Sequence, residues 1–131
     1  MVSSPIHASS ASGIGMAAGV LAALAVAAGA FGAHALRGRL DPVALATFET
    51  AARYQLIHAL AAAFAADRAA RSEPPAAEQA GRVFVAGIVL FSGSLYVVAL
   101  GGPRMAGAIT PIGGVALMAG WVLLAWSFAR R

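Results

Sequence analysis

Five side chains carry the polar chemistry of an otherwise apolar chain: His34, Glu49, Arg53, Tyr54 and His58. They fall in the stretch from Gly29 to Ala59, together with Arg37, Arg39 and Asp41. Glu49 and Arg53 are four residues apart, as are Tyr54 and His58, so on a helix each pair shares a face. At about 100° per residue the second pair points away from the first. A carboxylate beside an imidazole makes a proton relay or a ligand clamp. The plainer reading is glue, with His34 on a backbone carbonyl, Glu49 paired with Arg53, and Tyr54 reaching toward lipid headgroups. Polar groups inside a bilayer are costly and therefore have partners or a role, which makes these five the candidate ligand-binding residues.

Other chemistries lack their residues. There is no cysteine, hence no disulfide, thiolate metal site or cysteine nucleophile. His34 and His58 lie on different segments without the His-x3-His spacing of a helical zinc site, and no acidic motif completes a shell, so no metal and no cofactor is expected. Gly29-Ala30-Phe31-Gly32 lacks the glycines and lysine of a phosphate loop. Ser92-Gly93-Ser94 sits within an apolar run, not on the exposed turn of a nucleophile elbow. The expectation is a protein that is not an enzyme.

The elements that position these residues follow from composition. Of 131 residues, 60% are hydrophobic and 11% charged, with a mean hydropathy of +0.81. Soluble domains carry about 25% charged residues, so lipid is the natural solvent here. The net charge is +4, yet the basic residues are all arginine and mostly flank apolar runs. That is the pattern of membrane-end anchors; nucleic acid is not an expected partner.

Residues 1–12 read as a loose polar segment, with His7 solvated and Ser12 capping the first helix. The run 13–36 is long enough to span a bilayer. It reads as a retained helix and not a signal peptide, because no Lys or Arg precedes it and it outlasts an h-region. Gly15 and Gly19 form a GxxxG pair, continued by Ala25, Gly29 and Ala33, which suits close helix approach. After a basic turn at Arg37–Leu40, Asp41-Pro42 reads as an N-cap and first-turn pair. The apolar core Leu56–Ala66 is too short to span. A span of about 20 residues ending there covers 47–66 and carries Glu49 and Arg53; otherwise residues 42–53 lie along the interface and the helix dips in at Tyr54. A polar loop is expected over 67–82, where Pro74-Pro75 stops the helix. The third span is 83–100, whose Ser92 and Ser94 back-bond to their own helix or bond across to a neighbour. A tight turn at Gly101–Arg104 leads to Thr110-Pro111, a second cap and first-turn pair, and to a fourth span over 111–128. There Gly113, Gly114 and Gly120 are contact points, Trp121 packs in the bundle and Trp126 sits at the interface. The fold class is all-α, a four-helix transmembrane bundle forming a single domain over 13–131. Arg68, Arg71, Arg82, Arg130 and Arg131 gather on the terminal side against Arg37, Arg39 and Arg104 on the other, joined by Arg53 if it is not embedded, which favours cytoplasmic termini.

Four segments, GAFGAHAL (Gly29 to Leu36), YQLIHALA (Tyr54 to Ala61), LFSGSLY (Leu90 to Tyr96) and TPIGGVALMAGW (Thr110 to Trp121), resemble the YgdD/YwdK-like small membrane proteins, a domain of unknown function with a small transmembrane protein among its animal relatives. The resemblance covers residues 13–128 in order and with matching spacing. It implies a four-helix integral membrane protein with no established substrate, cofactor or catalytic residue to carry over. The family's GAFGAH and YQ…H motifs fall on His34, Tyr54, Gln55 and His58. The Ala-rich, Arg-only composition points to a GC-rich bacterial genome and hence the inner (plasma) membrane. The function expected is a non-enzymatic membrane component, with a membrane lipid, a second copy of the chain or another membrane protein as partner. The alternative is a small transporter or conduit acting as an oligomer, with His34, Glu49, Arg53 and His58 as its ligand or proton site. A cavity shared by His34, Arg53 and His58 favours ligand binding; separate, satisfied side chains favour glue.

Overall fold

The computed structural model describes residues 5–72 and 75–130. The side chain of His7, and Pro74 and Arg131 altogether, lie outside the described residues. The chain forms α1 (Pro5–Phe31), α2 (Pro42–Ser72), α3 (Pro75–Ala99) and α4 (Thr110–Ala129). α1 ends in a π-helical turn over Gly32–Leu36, and a 3-10 turn over Arg104–Ala108 precedes α4.

α1 begins at Pro5, so residues 5–12, expected to be loose, are its first turns, and Ser12 lies inside the helix instead of capping it. The turn after α1 rests on Gly38, whose φ of +87° is open to glycine and strained for other residues. The start of α2 is local chemistry. Asp41 Oδ1 accepts the backbone N–H groups of Val43 and Ala44 at 2.9 and 3.0 Å, and Pro42 fills the first helical position. From there α2 is one uninterrupted helix, so residues 42–53 continue its axis; the alternative of a separate interfacial segment breaking at Tyr54 is not realised.

The polar loop expected over 67–82 is mostly helix. α2 runs on to Ser72 and α3 starts at Pro75. Ala-rich sequence with four-residue acid–base spacing explains it: Arg71 pairs with Asp67 at 2.8 Å and Arg82 with Glu78 at 2.5 Å, each within one helix face. Thr110 does not cap α4 with its side chain. Its Oγ1 is 2.6 Å from Ser94 Oγ, stitching the start of α4 to α3.

α2 and α3 form the centre. α1 packs along α2 and touches α3, α4 packs along α3, and α1 and α4 share no extensive interface. Packing relies on glycine notches filled from the neighbouring helix. A Cβ at Gly120 would stand 2.7 Å from the Phe84 ring, and one at Gly87 would stand 2.7 Å from Leu117. Phe84 and Ile88 are almost completely buried among the alanines of α2. The expected GxxxG approach is only half realised: a Cβ at Gly15 would stand 3.9 Å from the Ala66 Cβ, whereas Gly19 and Gly29 face open space. Of the α4 glycines, Gly113 and Gly120 are tight contact points and Gly114 is in ordinary contact.

The outward faces are apolar. Val26, Leu60, Val89 and Val122 are all largely exposed. Among the described residues, three helical stretches are long and apolar enough to cross a membrane: Ala8–Leu36, Pro75–Ala99 and Arg104–Ala129. α2 carries Glu49, Arg53, Asp67, Arg68 and Arg71 but runs beside α1 and α3 over its length.

Candidate functional site

α2 positions four of the five candidates, Glu49, Arg53, Tyr54 and His58, together with Gln55, and its helical period sends them in three directions. Gln55 turns toward α1 and α3, His58 toward α3 and α4, and Glu49 with Arg53 toward the outer flank of α1.

Gln55 is the hub of the first direction. It is 5% exposed, so both halves of its amide need partners. Its Nε2 donates to the Leu21 carbonyl of α1 at 2.8 Å, and its Oε1 accepts from the Tyr96 hydroxyl of α3 at 2.8 Å. One side chain thus ties three helices together. Tyr96 is held in turn by Phe48, with the rings edge to face at 4.9 Å. This polar pair lies at the floor of an open groove of about 630 Å³ between α1 and α3. Leu24, Ala28 and Phe31 form one wall, Leu100 the other, and Phe48 the floor. The second N–H of the Gln55 amide and the lone pairs of the Tyr96 oxygen keep further hydrogen-bonding capacity. The groove can therefore hold a long apolar group bearing one hydroxyl, carbonyl or ester.

His58 is buried on the other side of α2. Its Nδ1 is 2.7 Å from the Tyr54 carbonyl, which can only accept, so the hydrogen sits on Nδ1. Tyr54 stacks on the imidazole at 5.7 Å, and Phe84 and Trp121 close around it at 5.9 and 6.0 Å. Tyr54 also packs on Phe91 at 4.8 Å, so its ring belongs to this aromatic cluster. Trp121 packs here as well, while Trp126 lies under the Arg130 guanidinium at 4.9 Å.

Glu49 and Arg53 line a separate cleft of about 440 Å³ on the outer side of the α1–α2 pair. Among the described residues the ion pairs are Arg71–Asp67 and Arg82–Glu78, so the Glu49–Arg53 pair that their spacing allows is not formed. His34 is exposed in the π-helical turn and makes no side-chain hydrogen bond among the described residues. The structure therefore brings Tyr54 to His58 and Glu49 to Arg53, but it does not bring His34, Arg53 and His58 into one cavity. Among the described residues no three His, Cys, Asp or Glu side chains converge as a metal shell would require.

Two further polar ties fix the frame. Ser92 Oγ donates across to the Ala51 carbonyl of α2 at 2.8 Å, and Ser94 Oγ donates back to the Phe91 carbonyl at 2.9 Å. At the opposite end Arg68 donates to Ser127 Oγ and to the Ser127 carbonyl at 2.8 and 2.7 Å, with Phe128 beneath its guanidinium.

Gln55 and Tyr96 are absent from the five candidates read from sequence. Gln55 stands within the YQLIHALA segment, and the rule that singles out charged and imidazole groups in a bilayer applies equally to an amide. The partnership with Tyr96 has no local signature, because the two residues come from different helices.

A family model described as "Protein of unknown function (DUF423)" matches residues 28–114. The chain is 43% identical over 106 residues to the UPF0382 membrane protein YwdK of Bacillus subtilis strain 168, covering 79% of this chain and 85% of that protein. It is 42% identical over 103 residues to a UPF0382 membrane protein of Staphylococcus epidermidis strain ATCC 12228, covering 79% and 84%. It is 39% identical over 99 residues to the UPF0382 inner membrane protein YgdD of Escherichia coli K12, covering 76% of each chain. No solved structure matches the chain.

Proposed function

The chain belongs to the DUF423 family of membrane proteins, and from that premise we propose that it is a non-enzymatic four-pass component of the bacterial inner membrane that holds a membrane lipid in the groove between α1 and α3. The observation that carries this reading is the groove itself. Its volume of about 630 Å³ lies within the range of small-molecule sites, its walls are apolar, and a hydrogen-bonded amide–phenol pair marks its floor. An acyl or isoprenoid chain matches the walls, and a hydroxyl or ester carbonyl matches the polar floor.

α2 is the fourth pass in this reading. Its length of about 46 Å at 1.5 Å per residue exceeds the bilayer core, and it lies along two helices that are apolar enough to cross. Arg68, Arg71, Arg82 and Arg130 at the terminal end outnumber Arg37, Arg39 and Arg104 at the other, which supports cytoplasmic termini. The non-enzymatic reading rests on the missing nucleophile and metal motifs. A conduit needs polar groups along one path, and the three directions taken around α2 favour binding over passage.

The test fills the groove without touching its polar floor. Ala27 lines the groove and is exposed, so Ala27→Phe places a ring in the apolar space. Protein extracted in mild detergent is compared by native mass spectrometry. Wild type is expected to retain a lipid-sized adduct that Ala27→Phe lacks. Equal adducts on both, or none on wild type, refute the reading.

A further inference from the structure

The second cleft lies on the opposite flank of α1 from the lipid groove and does not depend on that reading. Its walls are Ala25 and Gly29 of α1 and Ala52 and Leu56 of α2, with Glu49 and Arg53 at its edge. Gly29 is two helical turns before Leu36, where the apolar stretch of α1 ends, so the cleft sits about 10 Å inside that end. A carboxylate and a guanidinium at this depth are expensive without a partner. Among the described residues neither has an ion pair or a side-chain hydrogen bond.

We propose that this cleft is a two-fold interface between two copies of the chain, in which Glu49 of each copy pairs with Arg53 of the partner subunit. A two-fold interface is self-complementary, so residue i meets j while j meets i, and one acid and one base on the same flank satisfy that condition. Copies sharing one membrane orientation have their axis along the membrane normal, which sets the two α2 helices parallel. Glu49 and Arg53 of the partner subunit then differ by about 6 Å along the helix. An arginine side chain bridges that distance, as charged pairs do across parallel coiled coils. The small residues Gly29 and Ala30, accessible in the cleft, allow the backbones to approach closely enough for the pairs to form.

The experiment uses two opposite charge reversals on the full chain. Glu49→Arg alone and Arg53→Glu alone each set like charges against themselves across the axis. Mixed together, they restore both intermolecular pairs while leaving each chain without an internal one. Wild type is expected to sediment as a dimer in mild detergent, each reversal as a monomer with at least tenfold weaker association, and the two variants, differently tagged and co-expressed, to co-purify. A monomeric wild type, or a single reversal that still dimerises as wild type does, overturns the proposal. Reversals that stay apart on mixing overturn it too, by placing the pair within one chain.

A second measurement needs no charge change. The chain has no cysteine, so Val26→Cys at the cleft wall and Val122→Cys on α4 are each the sole thiol. Oxidation in intact membranes is expected to cross-link the first and not the second. Equal cross-linking of both, or of neither, contradicts the interface.

Discussion

Gly113→Ala is expected to push α4 away from α3, while Gly114→Ala one residue on leaves the pair in place. A Cβ at Gly113 would lie 2.4 Å from the backbone nitrogen of Phe91 and 2.7 Å from its Cα, closer than real Cβ contacts come. Helix backbone cannot swing aside as a side chain does, so α4 must retreat by about 1 Å in a densely packed interface. At Gly114 the nearest atoms are Phe91 ring carbons at 3.7 Å, an ordinary contact. The retreat travels down the same face, loosening Leu117 against Gly87 and Phe84 against Gly120. A gap of about 0.5–1 Å forfeits roughly a quarter to a half of the dispersion energy of the atoms that face it. Overpacking of this kind costs about 1–3 kcal/mol. Both substitutions gain the same ~1 kcal/mol of helix propensity, so their difference isolates the steric cost. With a backbone clash, the upper part of the range applies, about 2–3 kcal/mol. That corresponds to roughly 6–12 °C between the two midpoints for a chain of this size. Thermal unfolding in mild detergent, followed by far-ultraviolet circular dichroism, measures it. Midpoints within 2 °C of each other would refute the close approach of α3 and α4.

Tyr96→Phe strands the Gln55 carbonyl oxygen and Gln55→Leu strands the Tyr96 hydroxyl; each is expected to lower stability by about 1 kcal/mol, near the values for hydrogen bonds between membrane helices. The double variant is expected to lose less than the sum, and additive losses in unfolding midpoints would show that the two groups are uncoupled. Asp41→Ala removes the acceptor for two α2 N–H groups and is expected to cost about 1 kcal/mol, whereas Asp41→Asn retains the cap; equal melting of the two would remove Asp41 from that role. Gly38→Ala forces a side chain onto a positive φ and is expected to cost about 1–2 kcal/mol, although nothing crowds the position. Gly93→Ala, equally uncrowded but within α3, is expected to stabilise by up to about 1 kcal/mol, and the paired unfolding curves decide between backbone strain and packing.

The parts of the fold legible in sequence are those fixed within one or two turns. Asp41-Pro42 announces the start of α2 because capping involves only neighbouring residues. Ser92 and Ser94 read as bonding either across or back; Ser92 bonds across to α2, and Ser94 bonds back within α3 and across to Thr110 of α4. The stretch 67–82 reads as a loop because of its charges and prolines, yet α2 runs to Ser72 and α3 starts at Pro75. The same residues at four-residue spacing are helix formers, and Asp67–Arg71 and Glu78–Arg82 were visible as such. Around α2 the helical period already separated Glu49 and Arg53 from Tyr54 and His58. It did not say which direction would meet a neighbour, because that depends on where α1, α3 and α4 lie. For the same reason His58 is packed among rings, His34 is exposed, and Gln55, named in the sequence only within the YQ…H motif, is the residue that joins three helices.

The row in which α1 meets α2, α2 meets α3 and α3 meets α4 has a consequence for how the protein is made. Nearly every interface forms between helices consecutive in the chain, so each new helix leaving the ribosome finds its partner already in the membrane. Short separations along the chain favour fast, stepwise assembly with little exposure of half-finished faces. The two halves, α1–α2 and α3–α4, can in that case be synthesised as separate polypeptides and still find each other through the α2–α3 interface. The α2–α3 interface would then determine the arrangement of the halves without their covalent connection.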